Sequence, residues 1–208
     1  MKRDLQLDIR LDVVRIQGWQ RDQGQPETGL HWHPPSPNLR SPTQAMLYPA
    51  VGLLEGTNLS VGRGTAHPFE WLGAPFVDGT ALLKQLREAQ LPGVRFEAAL
   101  FTPESSRHRG VPCHGVRLKL TDPGVFRPVR TALTLATILR RLHPERWDRA
   151  RLPRLIANRA VVAMLEEGAS VEDMEHSWQD ALRAFRRRRA QVLLYQPAGP
   201  EGRRVPQR

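Results

Sequence analysis

The chain has a single cysteine, Cys113, among 208 residues, which excludes an internal disulfide framework and any metal site built from several thiolates. Lysine is nearly as scarce, since only Lys2, Lys84 and Lys119 contribute to the 31 basic residues and arginine supplies the rest. No apolar run approaches the roughly 20 residues that a transmembrane helix requires. The opening MKRDLQLDIRLD has no apolar stretch of the kind found in a secretory signal. There is no P-loop, no dinucleotide fingerprint, no serine nucleophile elbow and no internal repeat. These gaps remove the commonest cofactor and nucleotide chemistries, and no cofactor is expected.

The net charge of +10 is unevenly spread. From Arg127 onward there are 17 basic residues against 9 acidic, whereas the preceding part is near neutral. Such a basic third suits a polyanion in principle. It lacks the interleaved aromatics of nucleic-acid binders, so a solvated face is expected and no nucleic-acid partner. His31 and His33 flank Trp32 without a third ligand at supporting spacing, so no metal is expected there. Cys113 is expected to be a buried, inert thiol.

Residues 8–16 (DIRLDVVRI) alternate loosely and predict a strand with Ile9, Leu11 and Val13 on one face. Residues 21–44 are rich in Gly, Pro, Ser and Asn, and predict a long structured loop in which Leu30 and Trp32 are buried. An apolar segment at 45–54 then enters a glycine-rich run, and reads as a strand end. Asp78 precedes an amphipathic helix over 80–90 with Leu82, Leu83 and Leu86 inward, stopped by Pro92-Gly93. Alternation at Val94, Phe96, Ala98 and Leu100, and again at Val116, Leu118 and Leu120, predicts two strands. Their connecting loop carries Ser105, Ser106, Arg107, His108 and Cys113.

The remainder reads as helical. Pro128 opens a helix to about Leu142 with Val129, Leu133, Ala136 and Leu139 inward. A second spans about 159–167 and stops at Gly168. A third is capped at Ser170 and presents Met174, Trp178, Leu182 and Phe185 to the core. Val192–Tyr195 is expected to pack back, before a disordered tail at 197–208.

The chemistry-bearing run is LLEGTNLSVGRGTAHP, residues 53–68. Gly56, Gly62 and Gly64 imply special backbone angles or a close approach. Glu55, leaving an apolar segment, is the candidate acid; its bland alternative is an ion pair with Arg63. Thr57, Asn58, Ser60 and Thr65 offer the uncharged donors and acceptors that sugar hydroxyls need, and Arg63 suits a carboxylate. Glu70 and Asp78 are weaker candidates for a second carboxylate.

Taken together, TGLHWHPPSPN (28–38), YPAVGLLEGTNLSVGRGTAHPFEWLGAPFVD (48–78), PGVRFEAALFTPESSRHRGVPCHGVRLKLTD (92–122) and FRPVRTALTLATILRRLHPERW (126–147) resemble the NamZ-like exo-β-N-acetylmuramidases. FRRRRAQVLLY (185–195) agrees as well, and the EGTN-x-S-x-GRGT element is the most specific part. The resemblance implies an α/β fold: a truncated Rossmann-like domain, of which residues 1–75 are the C-terminal remnant, followed by a smaller α+β domain at 76–196. It implies removal of terminal N-acetylmuramic acid from the non-reducing ends of peptidoglycan fragments, commonly outside the cytoplasm, in the periplasm or after secretion. Glu55 is then the catalytic candidate, with Asn58, Ser60, Arg63, Thr65, Trp32 and Asn38 as sugar contacts. N-acetylmuramic acid differs from N-acetylglucosamine by a lactyl ether ending in a carboxylate, for which Arg63 is the expected reader.

Glycoside hydrolysis normally takes two carboxylates. Only one stands on this run, so the second is expected from a separately encoded or missing N-terminal half. The chain alone is accordingly expected to have little hydrolase activity. Its alternative is an inactive remnant or sugar-binding module that needs such a half. Uncovered sheet edges and apolar faces would favour a homodimer or association with that half.

Overall fold

A computed structural model of the chain describes residues 5–195. The tail expected to be disordered at 197–208 lies outside the described residues. Two compact units emerge, one formed by His31–Leu182 and the other by the stretches up to Leu30 and from Arg183 onward.

The larger unit begins with α1 (Pro42–Val51), which corrects the strand-like reading of 45–54. Ser41 caps it by accepting from the Gln44 amide at 3.2 Å, and Pro42 supplies a pre-set first-turn φ. Its buried residues Leu47, Ala50 and Val51, with Leu54 in the following 3-10 turn, stand at helical spacing. The short strand β1 (Trp71–Ala74) was not legible, because four residues are too few to show alternation. Next come α2 (Gly79–Glu88), capped by the Asp78 carboxylate at 2.9 Å from the Ala81 amide, and the strands β2 (Val94–Phe101) and β3 (Cys113–Leu120).

The sheet order is β1-β3-β2, antiparallel throughout, with Phe96 opposite Leu118 and Leu72 opposite Val116. The unit thus runs unbroken through position 75, where β1 pairs with a strand forty residues later. α2 packs on β2 and β3, and α3 (Pro128–Leu142) packs on α1 and α2. Leu47, Leu82, Leu86, Val116, Leu118, Leu133 and Leu139 fill the space between these layers. Leu100 and Val129 depart from expectation and are exposed, as is Ala98. Leu100 and Ala98 sit on an edge strand and border a cavity that Gly79 and Thr80 at the start of α2 also line, so the alternation continues where the covering is incomplete.

Three short helices close the unit: α4 (Leu152–Ile156), α5 (Arg159–Glu167) and α6 (Val171–Ser177). Gly168 ends α5 in the left-handed region, and Ser170 caps α6 by accepting from the Asp173 amide at 3.0 Å. The single helix expected after Ser170 breaks at Trp178 and restarts as α7 (Gln179–Ala190). Met174 is fully buried, but α7 buries nothing and Phe185 is exposed, correcting its assignment to the core.

In the smaller unit, residues 8–16 form no strand. A strand needs a hydrogen-bonding neighbour, and among the described residues none is present. Leu7, Ile9, Leu11 and Val13 are exposed, and so is Leu30. Tyr195 does pack back, edge-on to Trp19 at 5.0 Å and accepting from the Ile16 amide at 2.9 Å, whereas Val192 and Leu194 stay exposed.

Candidate functional site

The run 55–70 is held by its own polar side chains. Thr57 donates to the Leu54 carbonyl at 2.7 Å, and Thr65 donates to the Gly62 carbonyl at 2.6 Å while accepting from the His67 amide at 3.0 Å. Ser60 is buried and forms an isolated bridge with Gly73, 2.8 and 3.0 Å in the two directions. The run is therefore a rigid loop seated against the edge of β1.

Gly62 and Gly64 both have φ near +78°, where L side chains are strained. Gly64 also has no room for a side chain: a Cβ there would lie 2.3 Å from the Ser105 carbonyl. The contact is part of a seam between this run and the β2–β3 loop. Glu104 donates its amide to the Gly64 carbonyl at 2.8 Å, and His108 donates from Nε2 to the Asn58 carbonyl at 2.7 Å.

Where the two loops meet there is a cavity of about 210 Å³. Glu55, Leu59, Ser60, Val61 and Arg63 line it from one side, and Ser106 and Arg107 from the other. Arg63 pairs with Glu55 through Nε and, at 3.3 Å, through Nη2. The same guanidinium lies 5.0 Å above the Phe69 ring, which Tyr48 meets edge-on at 4.7 Å. Phe69 is buried, and its amide donates to the Val61 carbonyl at 2.8 Å, so the floor under Arg63 is fixed.

Of the residues singled out from sequence, Glu55, Ser60 and Arg63 come together on this cavity. Asn58 and Thr65 do not line it. The Asn58 amide group is committed on both sides, donating to the Arg146 carbonyl at 2.8 Å and accepting from the Asp148 amide at 2.9 Å. Trp32 donates from its indole to the Leu39 carbonyl at 3.0 Å, and neither Trp32 nor Asn38 is on the lining.

The weaker carboxylates are structural. Glu70 is held by Arg117 at 2.9 Å and Gln44 at 3.2 Å, and Asp78 caps α2. Sequence reasoning noted Ser106 and Arg107 as loop residues but did not join them to the 53–68 run. What joins them is the β2–β3 pairing, which carries the loop to that place.

Among the described residues no group of three His, Cys, Asp or Glu side chains stands close enough to hold a metal ion. Nor is any described helix long and apolar enough to cross a membrane.

A family model described as Exo-beta-N-acetylmuramidase NamZ, C-terminal, matches residues 46–195, and its N-terminal counterpart matches residues 1–43. The chain is 39% identical over 196 residues to the Peptidoglycan beta-N-acetylmuramidase NamZ of Bacillus subtilis (strain 168), covering 93% of this chain and 47% of that protein. Two crystal structures of DUF1343 family proteins from Bacteroides fragilis NCTC 9343 share the mixed α/β fold. One aligns with a TM-score of 0.78 at 26% identity over 86% of this chain and 49% of its own. The other gives 0.63 at 29% identity over 79% and 44%. The chain spans about half the length of the relatives it matches. With the family model covering residues 46–195 and the shared fold beside it, the chain belongs to the NamZ exo-β-N-acetylmuramidase family.

Proposed function

We propose that this chain is the sugar-binding portion of a peptidoglycan-directed exo-β-N-acetylmuramidase, and that the cavity bounded by Glu55, Arg63 and Arg107 receives the terminal N-acetylmuramic acid. Supporting the reading are the identity to a peptidoglycan β-N-acetylmuramidase along 93% of the chain and a cavity that combines a carboxylate, a hydroxyl and two guanidinium groups. Leu59 and Val61 supply the apolar wall that a pyranose face needs, and Ser60 with Ser106 supplies hydroxyls.

In this reading Glu55 is the chain's contribution to glycosidic bond cleavage, acting from within its pair with Arg63. Asn58 and Thr65 shape the loop, while Trp32 and Asn38 serve substrate beyond the cavity. Among the described residues no second carboxylate lines the cavity. Two carboxylates about 5–10 Å apart are the usual requirement. The partner group is therefore supplied by a Rossmann-like N-terminal half, and the substrate is the peptidoglycan fragment held between the two parts.

The test is release of N-acetylmuramic acid from a chromogenic N-acetylmuraminide, with the chain alone and then mixed with the N-terminal half of a relative. Negligible turnover alone and recovery on mixing are expected. Robust turnover by the chain alone would overturn the missing-partner account. A mixture that associates but releases no sugar would overturn the muramidase reading and leave a sugar-binding module.

A further inference from the structure

We infer that Arg107, and not Arg63, reads the lactyl carboxylate of the bound sugar, and so sets the preference for N-acetylmuramic acid over N-acetylglucosamine. The inference rests on the sugar site proposed above and specifies its selectivity.

The cavity carries three charged side chains. Glu55 and Arg63 neutralise each other in a two-pronged pair, and Arg63 is further held over the Phe69 ring. Turning Arg63 toward a ligand would leave Glu55 uncompensated beside an incoming carboxylate, which is a repulsive arrangement. Arg107 has no such commitment. Among the described residues it makes no ion pair, hydrogen bond or ring contact. It therefore leaves the cavity with one uncompensated positive charge.

Arg107 is also restrained in position. Its neighbours Ser106 and His108 both have positive φ, +68° and +59°, a conformation that non-glycine residues adopt only where their surroundings impose it. Those surroundings are the seam to the 58–64 run, made by the Glu104 amide on the Gly64 carbonyl and His108 on the Asn58 carbonyl. Arg107 is thus an exposed residue on a loop whose backbone is pinned at both sides, and it lines the cavity. A planar, permanently charged fork with unoccupied donors matches a carboxylate through two parallel hydrogen bonds. N-acetylglucosamine offers it only neutral oxygens and no carboxylate.

The experiment is calorimetric or NMR titration of the full chain with three probes: the methyl β-glycoside of N-acetylmuramic acid, the same sugar with its lactyl carboxylate reduced to the alcohol, and the methyl β-glycoside of N-acetylglucosamine. The wild type is expected to favour the acid over both neutral sugars by about tenfold. Arg107→Ala should bring that ratio near one, and Arg107→Lys should keep part of it, since lysine supplies charge without the fork. Because Arg107 is exposed, the circular dichroism of both variants should match the wild type.

A preference that survives Arg107→Ala, or a wild type that binds all three probes equally, overturns the inference and leaves the sugar site standing. Failure of every probe to bind overturns the sugar site itself, and the inference with it.

Discussion

Arg63 engages Glu55 with two of its nitrogens while its guanidinium lies over the Phe69 ring, so the candidate acid and the candidate carboxylate reader satisfy each other. From sequence, Glu55 reads as the candidate acid with an ion pair to Arg63 as its alternative, and that pair is present. Their pairing joins them into one element of the cavity and passes the ligand's charge to Arg107 on the opposite wall.

Glu55→Gln keeps the shape of that element and deletes its charge. In the two-part assay, sugar release should fall by about a hundredfold or more if Glu55 acts in proton transfer. The stability cost should be at most about 1 kcal/mol, because both partners are near one-third exposed and solvent screens the pair. Urea denaturation alongside the rate measurement separates the two effects, and near-normal rates would remove Glu55 from the chemistry.

Asn58→Ala deletes two hydrogen bonds between the 55–70 run and the stretch that follows α3. A loss of about 1–3 kcal/mol in unfolding free energy is expected, partly from the Arg146 carbonyl and Asp148 amide left without partners. The Arg107-dependent ratio between acidic and neutral sugars should persist. A normal denaturation midpoint with lost sugar binding would instead place Asn58 in contact with substrate.

Gly64→Ala should separate the two loops that form the cavity. The residue would be forced into a left-handed conformation costing about 1–2 kcal/mol, with its Cβ driven into the Ser105 carbonyl. A lowered melting temperature and loss of sugar-induced shifts for Ser106 and Arg107 are expected in NMR spectra. Intact shifts would show that the seam is not needed to hold Arg107.

His143 should make stability fall on mild acidification. Burial lowers its proton affinity, and nearby Arg146 adds to this, against an opposing pull from Asp78. The neutral ring accepts a hydrogen bond at Nε2 from the Asp78 amide at 3.2 Å. Since the folded value lies below the unfolded one of about 6.5, the unfolded chain binds the proton first. Stability is therefore full above about pH 6.5, falls as pH drops toward the folded value, and levels off below it. His143→Gln should flatten that part of the profile in urea titrations between pH 7 and 5, and an unchanged slope would assign it to other groups.

Cys113 should be inert in the native state. It is fully buried, and desolvation pushes its thiol up to about 11, so almost no thiolate is present at neutral pH. Iodoacetamide should modify it only after denaturation. Rapid native labelling would mean that the end of β3 opens readily.

Helices with explicit punctuation were readable from the sequence almost to the residue. Asp78 before α2, Pro128 at the start of α3, and Gly168 with Ser170 between α5 and α6 each satisfy or terminate a backbone locally. Strand readings held where a partner lay nearby, as in β2 and β3, and failed at 8–16, where no described neighbour provides hydrogen bonds. Phe185 and Leu100 failed for a related reason: periodicity reports which residues share a face, not whether anything covers it.

The glycine-rich run from Leu53 to Pro68 could be recognised without coordinates, because its glycines and short polar residues act on their own backbone within a few positions. Its residue types nominated Glu55, Ser60 and Arg63, and its resemblance to the family, together with that of the stretches around it, indicated the family. Which side chains remain free to meet a ligand was decided only by tertiary structure. Asn58 is spent on residues nearly ninety positions away, Glu70 on Arg117, and Arg63 on Glu55, while the β2–β3 pairing brings Arg107 to the same cavity. Hydrogen bonds and charges are consumed by whatever the fold places within reach, and sequence spacing does not carry that distance.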